Sequence, residues 1–226
     1  MSERQLNHYA VFSFTDSFWQ HTAEEHQPFL KQLGADIPRL ADRVFLYNIF
    51  PTRSEGDVMI WSALRAEDPQ AAGSFFRRFV SMTSSWRQFL EPVNTLWGFT
   101  RPSVYASGKS SQELDPLQSE RGSYLVVYPF LKSQEWYLMS KDARQGMMNE
   151  HIRIGRQYPE IRQLLLYSTG LQDQEFVVVY ETEDLAHFSE LVSALRDTEG
   201  RKYTLRDTPI YTAIYAPQEK ILSGWS

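Results

Sequence analysis

Apolar and polar positions along the 226 residues fall into one order of blocks that occurs twice. In the first copy, Tyr9 to Phe14 is an apolar, partly alternating run that predicts a strand, and a polar helical stretch follows from about Ala23 to Leu33. A second strand is expected at Arg43 to Phe50. The turn-like PTRSEGD then leads into the apolar run VMIWSAL, the acidic break AEDP and a helix from about Gln70 to Leu90 carrying Phe75, Phe76, Phe79 and Val80. LWGFTRPSVYA closes this copy. The second copy opens with SYLVVYPFLKSQEWYLM and continues through a helix from about Lys141 to Gln157 and the strand IRQLLLYS. After the turn TGLQDQ come the strand EFVVVYET, a helix entered at the acidic EDL and running through Leu195, and the closing strand PIYTAIYA.

Both copies read β-α-β-β-α-β, the ferredoxin-like order, and a repeat of this length signals a duplicated supersecondary unit. VMIWSALRAEDP and FVVVYETEDL occupy equivalent places, each ending in acidic residues that suit the positive end of the following helix. Two such units in one chain set their sheets side by side or closed on each other with helices outside. The expected fold class is therefore α+β, with tandem ferredoxin-like repeats forming a dimeric α+β barrel-type subunit. The expected boundaries are residues 1–105, a linker or loop at 106–122, and residues 123–226. The linker sequence ASGKSSQELDPLQSERG is polar and rich in Ser and Gly, and it exceeds the roughly 12 residues usual for a plain connection. A ligand-contact loop and a disordered linker are both open readings.

Composition then narrows the chemistry. The chain has no cysteine, which removes disulfides, thiolate metal sites and thiol nucleophiles. With 23 Lys and Arg against 28 Asp and Glu, the net charge of −5 argues against a nucleic-acid or anionic-membrane partner. No apolar run approaches the roughly 20 residues of a membrane span, and the opening MSERQLNHY lacks a secretory core, so a cytoplasmic location is expected. Aromatic residues make up 14% of the chain, which suits either an aromatic core or a cavity for a flat apolar ligand. P-loop, dinucleotide-glycine, HExxH and nucleophile-elbow patterns are all missing from the sequence.

Among the five histidines, His21 and His26 stand at i, i+5, a poor spacing for one helix face, and a surface location is expected for them. His151 shares an apolar helix face with Met147, Met148 and Ile154. An imidazole there is either a packed core residue or a ligand of the kind a haem iron takes. Such a ligand needs an acceptor on its second nitrogen, and Glu199 is the candidate, a surface glutamate being the plainer reading. In YPFLKSQEWY, Tyr128, Lys132 and Trp136 recur at four-residue intervals around a proline expected to break the strand. A phenol, an ammonium and an indole suit an aromatic ligand bearing carboxylates, and a strand end with a snorkelling lysine is the alternative.

Taken together, YPFLKSQEWYLM, NEHIRIGRQYPEIR and DTEGRKYTLRDTPIYT resemble the chlorite dismutase-like haem protein family, in particular its coproheme decarboxylase branch. The likeness is carried by about Ser123 to Ala216; the N-terminal half agrees mainly in its repeat architecture. The resemblance implies an iron porphyrin, either coproheme or haem b, held by His151, with Glu199 behind it, Tyr128 as the redox-active phenol, and Lys132 and Trp136 lining the pocket. It implies oxidative decarboxylation of iron coproporphyrin III by hydrogen peroxide, and a homo-oligomer, most often a pentamer. A haem-binding protein of the same fold with chlorite dismutase, weak peroxidase or sensor activity is the alternative. Family dismutases carry a distal arginine where this chain has Arg162 and Gln163. Counting back from Gly170 selects Gln163, and counting forward from His151 leaves the chain one residue short. The distal histidine of other decarboxylases has no counterpart in ASGKSSQELDPLQSERG, where Ser111 has the spacing and Glu113 is a carboxylate nearby. Arg101, Lys109 and Arg121 are candidate propionate partners.

Overall fold

In a computed structural model of the chain, which describes residues 4–105 and 110–225, the first repeat folds into β1 (Gln5–Phe14), α1 (Asp16–Gln20), α2 (Ala23–Asp36), β2 (Arg43–Asn48), β3 (Val58–Arg65), α3 (Ala71–Thr83) and β4 (Leu90–Phe99). The second gives β5 (Tyr124–Lys132), α4 (Gln134–Leu138), α5 (Lys141–Gly155), β6 (Arg162–Tyr167), β7 (Phe176–Thr182), α6 (Leu185–Arg196), β8 (Thr204–Arg206), β9 (Tyr211–Tyr215) and α7 (Gln218–Ser223). Helix starts follow their caps: Thr22 and Glu25 form a capping box at α2, and the Asp184 carboxylate accepts two amides at α6. The α3 helix stops at Thr83 rather than running to Leu90. Thr83, Ser84 and Ser85 turn their hydroxyls back onto the carbonyls of Phe79, Val80 and Met82, and Leu90 is needed by β4.

The strands order as β4-β1-β3-β2 and β9-β5-β7-β6, the ferredoxin-like order twice. β2 pairs with β9 through Tyr47–Tyr215 and Asn48–Ile214, and β4 touches β6 at Phe99–Tyr167, so the eight strands close on themselves. Pro129 does not break β5. It falls between the last β9 pair, Val127–Tyr211, and the first β8 pair, Leu131–Arg206, where β5 has a neighbour on one side only.

Closure gives one interior. Tyr9, Met59 and Trp61 from the first repeat pack there against Leu125, Val127, Leu164, Leu166, Val177 and Val179 from the second. Because side chains alternate along a strand, Val126, Tyr128 and Phe130 on β5 and Gln163 and Leu165 on β6 face outward. The outer face of the first sheet is covered by α2 and α7, and that of the second chiefly by Phe188 and Leu191 of α6.

Residues 110–122 are not a free connection. Glu113 forms a parallel bridge with Gln163, the Leu114 amide donates to the Gln163 carbonyl at 2.9 Å, and the Gln163 amide donates to the Gln112 carbonyl at 2.7 Å. Leu114 is fully buried in the barrel core, and the Gln112 side-chain amide donates to the carbonyls of Gly155, Tyr158 and Ile161. The reason lies in the backbone: β4 meets β6 at a single pair, and the segment satisfies the edge that β6 would otherwise leave open. Arg121 then enters the barrel. Its solvent-excluded guanidinium lies 4.7 Å from the Phe45 ring centroid, stacks toward Trp61, and stands 3.6 Å from Glu181, which also pairs with Arg162.

Glu181→Ala removes the acid between two cations, one of them wholly buried, and is expected to lower stability by about 3–5 kcal/mol in urea unfolding, far more than a surface carboxylate does. His8 gives a second test. It is buried among Phe75, Phe76 and Phe79, and burial pulls its imidazole down from 6.5 to about 3. The unfolded chain therefore takes up this proton first, and stability declines as pH falls from 6.5 toward 3, by at most about 1.4 kcal/mol per unit. His8→Phe is expected to flatten that part of the stability–pH curve; an unchanged slope would assign the acid sensitivity elsewhere.

Candidate functional site

Register fixes the outer face of the second sheet row by row. Val126, Tyr180 and Gln163 are cross-strand partners on β5, β7 and β6, with Glu113 bridged to Gln163 beyond them. Tyr128, Val178 and Leu165 form the next row. Tyr128 stacks on Tyr180 with ring centroids 6.2 Å apart. Burial holds the Tyr128 hydroxyl well above the ordinary phenol range, and burial pushes Tyr180 to about 12. The phenol end of the rows is covered by α6, whereas Gln163 is exposed and Leu165 is 39% exposed.

Opposite stands α5, started by the Ser140 hydroxyl accepting from the Ala143 amide. It is the longest helix, yet none of its residues is fully buried. Met147, Met148, His151 and Ile152 are half-exposed, and Ile154, near its end, reaches the apolar cluster under α6. This helix face, on which no residue is fully buried, stands toward a sheet face carrying an exposed amide and leucine, an arrangement that suits a flat ligand between them.

His151 sits on this face, its imidazole held below its usual range by burial and by the Lys132 charge. Lys132 comes from β5, where its ammonium donates to the Gly200 carbonyl at 3.0 Å and the Thr204 hydroxyl at 3.1 Å and lies 4.5 Å from the Trp136 ring centroid. Burial, then Arg201, pulls it down to about 8. The structure thus gathers His151, Lys132 and Trp136 on one side, and Tyr128 and Gln163 on the facing sheet. Glu199 heads the 3-10 turn Glu199–Tyr203 beside α5, its amide donating to Glu150. Its exposed carboxylate is held by Lys202 at 2.8 Å and makes no contact with His151.

Arg162 does not join the site. It alternates with Gln163, points into the barrel and pairs with Glu181. Arg121 likewise lies inside the barrel, because the segment that carries it folds into the β6 edge. Arg101 stands over Tyr167 at 5.1 Å on the outer side, Ser111 is exposed, and Lys109 lies outside the described residues. His26 is buried, not superficial: it stacks on Phe18 at 3.9 Å and bonds its carbonyl. Among the described residues no group of His, Asp and Glu is arranged to hold a metal ion. Sequence reasoning missed Tyr180, whose signal was its place in the alternating run FVVVYET, and Arg144, whose buried Nε has no partner among the described residues.

Lys132→Gln is expected to raise the His151 pKa, since a nearby cation is removed while the burial remains; a His151 NMR titration that does not move would show that the charge is not felt there.

The profile of the family described as chlorite dismutase matches residues 20–216. Coproheme decarboxylase from Mycolicibacterium smegmatis is 31% identical over 179 residues, covering 79% of this chain and 75% of that protein. Coproheme decarboxylase from Staphylococcus saprophyticus is 31% identical over 193 residues, covering 80% and 76%. The structure of an arginine-to-lysine variant of chlorite dismutase from Candidatus Nitrospira defluvii superposes with a TM-score of 0.84 at 22% identity, over all of this chain and 96% of that one.

Proposed function

Because the chain belongs to the chlorite dismutase family, we propose that it is a coproheme decarboxylase, converting two propionates of iron coproporphyrin III to vinyl groups with hydrogen peroxide as oxidant. The observation that carries this reading is the half-exposed face of α5, bearing one imidazole, set opposite a sheet face with an exposed amide and a buried phenol. A macrocycle suits that gap, and the residues present fit it: a neutral imidazole for the iron, and an apolar floor at Leu165 and Val178.

In this reading His151 holds the iron, and the iron porphyrin supplies the redox chemistry while the protein supplies position and charge. Burial, and after it the Lys132 charge, favours the unprotonated form of His151, whose lone pair is then available, and Trp136 packs against the lysine. Glu199 serves the second imidazole nitrogen once it leaves Lys202. Tyr128 keeps its proton throughout the usual pH range, so it gives up an electron and a proton together and takes both back from a propionate. Each propionate, with one hydrogen peroxide and one proton, yields a vinyl group, carbon dioxide and two waters. In the same reading the Gln163 amide hydrogen-bonds peroxide, and Arg144, whose buried Nε has no partner among the described residues, and Arg101, over Tyr167, meet the carboxylates. A chlorite-type reaction calls for a guanidinium on this face, and the turning of Arg162 into the barrel weighs against it.

Assembly into a homo-oligomer is part of the proposal, and the exposure of Leu138 at 76% and Leu205 at 70% supports it. Among the described residues no helix is long and apolar enough to cross a membrane.

The protein loaded with iron coproporphyrin III and titrated with hydrogen peroxide is expected to give two successive losses of a carboxyl group, ending at the mass of haem b. Tyr128→Phe is expected to bind the porphyrin and stop these losses, and His151→Ala to weaken binding and alter the Soret band. Bleaching of the parent protein without a mass change would return the chain to the haem-binding alternative.

A further inference from the structure

Beyond the residues already assigned, the bridge between residues 112–114 and β6 delivers an acid to the sheet face. Partners in a parallel bridge present their side chains to the same side, and residues flanking them present theirs to the other. Leu114 is fully buried in the barrel core, and Gln112 turns its amide onto the carbonyls of Gly155, Tyr158 and Ile161. Glu113, between them, therefore stands on the outer face beside Gln163, and both are exposed. Across the sheet the row runs Val126, Tyr180, Gln163, Glu113, at a strand spacing of about 4.8 Å. Glu113 is pinned to this place by two backbone hydrogen bonds, at 2.7 and 2.9 Å, so it belongs to the sheet edge and not to a loose loop.

The row lacks any other group able to take a proton from a substrate. An amide such as Gln163 donates and accepts hydrogen bonds but is not a base, and Tyr180 and Tyr128 are buried, protonated phenols. Residues 106–122 contain no histidine. Hydrogen peroxide keeps both protons at neutral pH and becomes a good nucleophile and ligand only on losing one.

We propose that Glu113 is the general base that accepts this proton. The step is a proton transfer: one O–H bond of hydrogen peroxide breaks, the carboxylate becomes a carboxylic acid, hydroperoxide anion is left, and no electron moves. The assignment rests on the decarboxylase reading for its substrate and on the β6 bridge for its geometry.

The test uses the full chain loaded with iron coproporphyrin III and two reactants. Hydrogen cyanide, like peroxide, must lose a proton before it binds a ferric porphyrin, but no oxidation follows, so its association rate reads the base without reading decarboxylation. Glu113→Gln is expected to slow both cyanide association and peroxide consumption by about 100-fold or more, with porphyrin affinity within about two-fold of the parent. Glu113→His is expected to recover most of both rates, which a merely structural role for the glutamate does not predict. Glu120→Gln, an exposed residue of the same segment, is expected to change neither. Cyanide association and peroxide consumption in Glu113→Gln within about two-fold of the parent would overturn the proposal. If Glu113→Gln slows cyanide while the parent shows no mass loss with peroxide, the base stands and the decarboxylase reading falls. Undiminished decarboxylation in Glu113→Gln has the opposite meaning.

Discussion

Closing two four-stranded sheets through the β2–β9 and β4–β6 pairs commits one face of every strand to a single shared interior, and the remaining features follow from it. The inner face is filled by side chains from both repeats, which pack there into one hydrophobic core. Each outer face must then be covered by helices. The first repeat does this with a large apolar cluster under α2 and α7. The second covers the β5 and β7 side with α6 and leaves α5 standing off β6, so the asymmetry between two otherwise similar units is where a ligand fits.

Much of this was legible in the sequence because ferredoxin-like units are built from strong local signals. The barrel strands and four principal helices fall close to where the alternating and helical patterns put them, except that α3 ends early at Thr83 and β4 begins at Leu90, ahead of the expected Leu96; the pairing of the two repeats into one barrel matches the expected class. What the patterns could not carry was long-range. Period-two alternation shows that Arg162 and Gln163 face opposite sides, but only the pairing of β6 with β7 says which side is inside. The polarity of residues 106–122 reads as a linker, because composition does not reveal that the backbone of Gln112 and Leu114 completes the edge of β6. Arg121 reads as a surface charge for the same reason, until that segment carries it into the core against Phe45 and Trp61.

The candidate site divides its work between two supports of different character. On the sheet, the phenols of Tyr128 and Tyr180 are shielded from solvent, so neither ionises readily and each exchanges a proton only together with a change of charge elsewhere. On the helix side, burial, and after it the charge of a lysine itself partly stripped of solvent, favour the neutral form of an imidazole. Burial acts in opposite directions on phenol and imidazole, raising one and lowering the other, yet both end as neutral groups around an apolar gap. A neutral lining suits a large apolar macrocycle, whose charges are confined to its rim, better than an ionised one that must be desolvated on each binding event.

The buried ions explain why so exposed a row can be held in register. On β6 and β7 the pair Arg162–Glu181 lies directly beside the pair Gln163–Tyr180, one residue along and on the opposite face. Sliding β6 by one residue would put a guanidinium on the outer face and an amide inside, leaving the buried Glu181 with one cation fewer. Because stranding a buried charge is costly, the ion cluster inside the barrel selects the register that sets Gln163, and through its bridge Glu113, on the site face. The residues that fix the site are thus not the ones that face it: adjacent positions on the same strands serve the interior and the surface separately. That arrangement lets the outer row stay exposed to a ligand while its geometry is determined from behind.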